Sequence, residues 1–157
     1  LTEPVHIITQ IRRAFKQLLS NAVGEEHVHY LSRLATGGFQ SNQYPLVILA
    51  VTDTLMTDQE HGIDQLSVSV DLKISERTSV AAPEEKIDAM RLKIQTALAN
   101  RGDLGIGKYW NWSVGSLSAP DFEPMSDHPD SVAIAAVLPI SFTMSVPTAD
   151  YSKNLNS

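Results

Sequence analysis

Apolar and polar residues alternate strictly over two long stretches of this chain. In the first, Leu66, Val68, Val70, Leu72 and Ile74 are separated by Ser67, Ser69, Asp71 and Lys73. In the second, the even positions from Val132 to Val146 are apolar and the odd ones mostly small or polar. A period of two predicts strands with one buried face. Sixteen extended residues would reach about 53 Å, whereas a compact globule of this length is only about 40 Å across. The second strand is therefore expected either to bulge at Pro139, or to leave the body in part and pair with a neighbouring copy.

A different period opens the chain. Ile7, Ile8, Ile11, Phe15, Leu18, Leu19 and Ala22 recur at three-to-four spacing behind Pro4, with Thr2 or Glu3 as cap, and predict an amphipathic helix ending near Gly24. A short strand follows over 27–34, then a loop over 36–42 holding Gly37, Gly38 and Phe39, then an apolar run over 45–51 that reads as a strand covered on both faces. The segment 53–64 is acidic and turn-like, and the first alternating strand runs on through Glu76 and Arg77. Pro83 begins a second helix with Glu84 and Glu85 in its first turn and Ile87, Met90, Ile94, Ala97 and Leu98 as its stripe, stopped by Asn100 and Gly102. An aromatic strand over 108–114, a loop carrying Pro120, Pro124 and Pro129, and the long last strand complete the series. The order α-β-β-β-α-β-β predicts one α+β domain over 1–147, a mostly antiparallel sheet with two helices packed on one face. Residues 148–157 lack a pattern and are expected to fray or to order only on a partner.

Composition narrows the function. No cysteine is present among the 157 residues, which rules out disulfides, thiolate metal sites and a cysteine nucleophile. No signal pattern or membrane-length apolar run is seen, so a soluble cytosolic protein is expected. A net charge of -6 disfavours nucleic-acid binding, and the small basic cluster Arg12, Arg13 and Lys16 reads as a solvated helix face. Asn111-Trp112-Ser113 matches a glycosylation sequon by chance.

Candidate chemistry is sparse. His27 and His29 fall at alternate positions, but a metal would need a third ligand such as Glu25 or His61. His61 and His128 sit in loops beside carboxylates, and the pairs Glu25-Glu26 and Glu84-Glu85 flank helix ends. The glycines at 102, 105 and 107 follow a helix and precede a strand, the reverse of a phosphate-binding loop. The acidic loop with Asp53, Asp58, Glu60, Gly62 and Asp64 lacks the glycine and terminal glutamate placement of a calcium-binding hand and is a weak cation candidate. No catalytic, cofactor or metal residue is assigned. Trp110 and Trp112 are expected on one face of their strand, either in the core or at an interface, and Phe39 on a loop tip would dock.

The layout resembles the tail terminator proteins of tailed bacteriophages over nearly the whole chain, from Pro4 to Val146. Residues 44–52 and 66–74 look like that family's central strands, and 83–100 like its second helix. The resemblance implies a virion protein assembled in the bacterial cytoplasm. It would form a ring, usually of six copies, that caps the tail tube, ends its polymerisation and meets a head-tail connector or stopper. The tail sheath is a further implied neighbour, and DNA passes through without specific binding. Protomers are expected to join edge to edge through 66–77 or 132–146, where Val70, Lys73, Arg77 and Phe142 lie. Competing readings are another neck or tail component, such as a stopper, tube or tube-cap protein, and a small ligand- or metal-binding domain or enzyme.

Overall fold

The computed structural model describes residues 3–32, 39, 41–56, 62–124 and 132–155. Helix α1 spans Ile7–Val23 and helix α2 Pro83–Ala99. The strands are β1 (Val28–Tyr30), β2 (Leu46–Leu55), β3 (Ile63–Arg77), β4 (Trp110–Val114), β5 (Asp121–Pro124) and β6 (Val132–Pro147). They form one sheet in the order β1-β2-β3-β6-β4, with β5 also on the outer side of β6. Every pairing is antiparallel except β1 with β2. The class is α+β, as the alternation predicts.

Register decides which residues meet. Val47, Leu49 and Val51 of β2 lie opposite Ile74, Leu72 and Val70 of β3, which lie opposite Ala136, Leu138 and Ile140 of β6. These residues share one face of the sheet. Both helices lie on it: α1 contributes Ile7, Ile11, Phe15 and Leu19, and α2 contributes Ile87, Met90, Ile94 and Leu98. At its centre Phe142 stacks with Phe15 and Trp112, at centroid distances of 6.3 and 5.8 Å, and Tyr109 tilts against it at 5.1 Å. The opposite face has no helix among the described residues, and Thr52, Thr54, Ser69, Asp71 and Ser141 are exposed there.

The long strand neither bulges at Pro139 nor leaves the body. β3 matches it along its length, in unbroken register from Ile63↔Pro147 to Arg77↔Ala133. Proline is tolerated because of the way it points. The Pro139 carbonyl accepts from the Gly115 N–H at 2.8 Å, so the Pro139 nitrogen also faces the outer side of β6, where the neighbouring chain between β4 and β5 is a loop. No β3 ladder bond is lost.

Other expectations shift in detail. Helix α1 starts at Ile7 and not behind Pro4, and its cap is His6, whose Nδ1 accepts from the Ile8 N–H at 3.1 Å, in place of Thr2 or Glu3. The proline-rich loop contains a strand, β5, which supplies one more element than the predicted order. The polar tail is no fraying end through residue 155. Ile7 N–H donates to the Tyr151 carbonyl at 2.6 Å, Gln10 Nε2 to that of Ser152 at 2.8 Å, and Leu155 N–H to that of Ser145 at 2.9 Å. Asn154, 6 % exposed, donates through Nδ2 to the Ile106 and Lys108 carbonyls at 2.8 and 2.9 Å. The tail closes over the end of the domain because buried polar groups there need these partners.

Candidate interaction surface

The residues expected at an interface do not share one exposed surface. Val70 and Phe142 are 0 % and 1 % exposed in the main core. Phe39, expected at a docking tip, is 3 % exposed and packs with Leu46, Ile48 and Tyr44, its ring 4.8 Å from that of His29. Arg77 Nε lies 3.7 Å from the buried Glu76 carboxylate, and Lys73 is ion-paired with Glu123 of β5. Trp110 lies opposite Thr143 and Ser113 opposite Ser141, so three steps along β4 match two along β6. Asn111, with φ of 56°, carries the bulge. The two tryptophans therefore point to opposite faces, not to one. Trp110 sits on the uncovered face and Trp112 on the helix side, where the Arg101 guanidinium lies 3.6 Å from its ring centroid.

Edge-to-edge joining through 66–77 or 132–146 is also excluded by position. β3 is flanked by β2 and β6, and β6 by β3 on one side and β4 and β5 on the other. Neither has a free edge, and Lys73 belongs to a ladder already filled by Ile48 and Val137.

The open edge is elsewhere. β1 pairs with only Val47, Ile48 and Leu49 of β2, and the chain then turns aside at Leu31 and Ser32. From Thr52 to Met56 every residue is exposed. The ladder shows where the main chain points. Met56 N–H donates to the Gln65 carbonyl at 2.9 Å, so the even residues of β2 bond to β3 and the odd ones face away. The N–H and C=O groups of Asp53 and Leu55 thus point outward, with no partner strand among the described residues. Helix α1 flanks this edge. A groove of about 480 Å³ runs between them, lined by Thr9, Arg12, Arg13, Tyr30, Leu31 and the Leu49–Thr52 stretch. A second hollow of about 380 Å³ continues past Arg13 to Lys16 and Glu25. Lys16 Nζ stands 4.8 Å from the Tyr30 ring centroid. Arg12 and Arg13 have no ion pair among the described residues, and Leu31, Leu55 and Met56 are exposed apolar side chains beside the edge.

The histidines are occupied in turns. His27 Nδ1 donates to the Pro45 carbonyl at 2.8 Å and His29 Nε2 to that of Glu26 at 3.0 Å. Among the described residues no three acidic or histidine side chains group as a metal site. His61, His128, Asp58 and Glu60 lie outside the described residues. Of the acidic loop, Asp53 is exposed at the edge, while Asp64 is 2 % exposed and accepts from Thr148 Oγ1 at 2.8 Å and from the Tyr151 hydroxyl. That bond, followed by burial and the charges of Asp64 and Asp53, pushes the Tyr151 phenol up to about 12. The 102–107 connector is a left-handed turn, with φ of 60° at Gly102 and 57° at Leu104, that lowers Ile106 into the core.

No protein-family model and no curated protein matches the chain. No helix among the described residues is long and apolar enough to cross a membrane.

Sequence reasoning missed two surfaces. The open edge was signalled by Thr52 and Thr54, β-branched residues between Val51 and Leu55 that extend the strand beyond its apolar run. The C-terminal clasp had no periodic signal, because its residues act one by one through hydrogen bonds.

Proposed function

We propose that the chain is a structural protein of a bacteriophage tail, a terminator that assembles as a ring on the tail tube, stops its growth and offers a surface to the head-tail connector or stopper. What carries this reading is the one-sided sandwich: two helices pack on one sheet face, while on the other, among the described residues, Thr52, Thr54, Ser69, Asp71 and Ser141 are exposed beside the small cluster of Phe39, Leu46 and Ile48. Such an exposed polar patch, with a surplus of negative charge on the chain, suits a passage through which DNA slides without being held. The resemblance of the sequence layout to terminators is the second support for it, with β5 an element beyond that layout. A six-copy ring, a tail-tube partner and a sheath neighbour belong to this proposal, as does a place in the virion. The second reading, another neck or tube component, draws on the same observations. The groove beside α1 favours a third, a ligand-binding domain, only if it takes a small molecule.

The test is electron microscopy of tails from the source phage or prophage strain with the gene disrupted. Overlong, headless tubes are expected. Tails of normal length lacking heads would make the protein a connector, absent tails would place it in the tube, and unchanged virions would overturn the structural reading.

A further inference from the structure

We propose that the half-edge of β2 from Val51 to Leu55, which has no partner strand among the described residues, accepts an extended acidic peptide of a partner protein as an additional strand beside β2. The inference does not depend on the virion reading.

Three observations carry it. First, the outward main-chain groups of Asp53 and Leu55 form a template at the strand spacing, on an exposed segment held rigid by the β3 and β6 ladders behind it. Second, the other side of the sheet is blunted. β4 carries the Asn111 bulge. In β5, Asp121 and Glu123 face Ala135 and Ala133 of β6, so Phe122 and Pro124 face out. The Phe122 N–H is taken by the Asp121 carboxylate at 3.0 Å, and Pro124 has none. Bulge, proline and a self-satisfied amide are the devices by which edges avoid pairing. Left without them, the β2 half-edge is the one suited to accept a strand among those described.

Third, charge selects the occupant. A strand added here meets, at Val51 and Thr52, the groove lined by Arg12 and Arg13, on a chain whose net charge overall is -6. Alternate side chains of that strand face α1, so Asp or Glu at every second position meets the two guanidiniums, which fork onto carboxylates. Leu31 and Leu55 flank the path and suit aliphatic residues between. A second copy of this chain fits less well. Antiparallel pairing of two β2 edges about a two-fold axis keeps both α1 helices on the same sheet face, and so gathers two sets of Arg12, Arg13 and Lys16 there.

The test selects from a random twelve-residue display library on the immobilised full chain, then measures binding of the enriched synthetic peptides by fluorescence anisotropy. Enriched sequences are expected to alternate acidic and aliphatic residues. Asp53→Pro removes an outward N–H without touching the β3 ladder, and Arg12→Glu/Arg13→Glu leaves the sheet intact. Each is expected to weaken binding about tenfold or more, equivalent to about 1.4 kcal/mol. Hydrogen exchange is expected to be fast at the Asp53 and Leu55 amides in the free chain and slow with peptide bound. Any of four results would overturn the proposal: slow exchange at these amides in the free chain, no enriched binder, enriched basic sequences, or full binding by both variants. A dimer that Asp53→Pro converts to monomer would assign the edge to a second copy and overturn it as well.

Discussion

Removing one oxygen atom from the C-terminal clasp, by Tyr151→Phe, isolates what the tail contributes. The Tyr151 hydroxyl is one of two hydroxyls that donate to Asp64, a carboxylate that is 2 % exposed, and the substitution leaves Thr148 alone with it. A hydrogen bond to a charged group is worth about 1.5–3 kcal/mol. At about 2–4 °C per kcal/mol for a chain of this size, the melting temperature is expected to fall by about 3–12 °C. The pH dependence gives a sharper check. Tyr151 holds its proton to about 12 in the folded chain, whereas the unfolded phenol ionises near 10. Between these values the unfolded state binds fewer protons than the folded one, so stability falls as pH rises. The contribution is whole below pH 10 and disappears through pH 12. At pH 11 the parent is expected to have lost at most about 1.4 kcal/mol relative to Tyr151→Phe, an upper bound because the partly exposed phenol is screened by solvent. The gap between the two proteins therefore narrows. Urea unfolding followed by tryptophan fluorescence at pH 8 and pH 11 measures both. Equal stabilities at pH 8, or a gap of the same size at pH 11, would refute the clasp.

Phe142→Ala removes the ring on which Phe15, Trp112 and Tyr109 converge and is expected to cost about 3–5 kcal/mol in chemical denaturation. Phe122→Ala, at a ring 66 % exposed, is expected to stay within about 0.5 kcal/mol of the parent. Gly115→Ala would place a Cβ 2.8 Å from Pro139 Cγ, so calorimetry is expected to show a loss of about 1–3 kcal/mol from forced repacking. Asn154→Ala strips the Ile106 and Lys108 carbonyls of their shared donor. Its expected cost is about 1–3 kcal/mol, with faster proteolysis near residue 150 as the readout.

Elements with a strong period were legible in the chain. β3 and β6 each show a buried face at every second residue, and α2 shows Ile87, Met90, Ile94 and Leu98 at helical spacing between Pro83 and Asn100. These patterns are local, since each repeats the geometry of its own backbone. Phe39 and the tryptophan pair were misplaced for a related reason. Exposure of a loop aromatic depends on what crosses beneath it, and one bulge residue at Asn111 reverses the face of everything after it.

What the sequence by itself determined is therefore the class of the fold and the apolar faces of its two helices and two longest strands, because hydrophobic periodicity acts within a few residues. The tertiary structure alone decided which strands are edges. Pairing joins residues far apart in the chain, as with Leu72 and Leu138, and a strand that reads as an ideal edge can be enclosed on both sides. The same holds for the candidate site. Arg12 and Arg13 on α1 and Thr52 on β2 carry no shared motif, and they line one groove because β1 ends at Tyr30 and, among the described residues, covers only Val47 to Leu49 of β2.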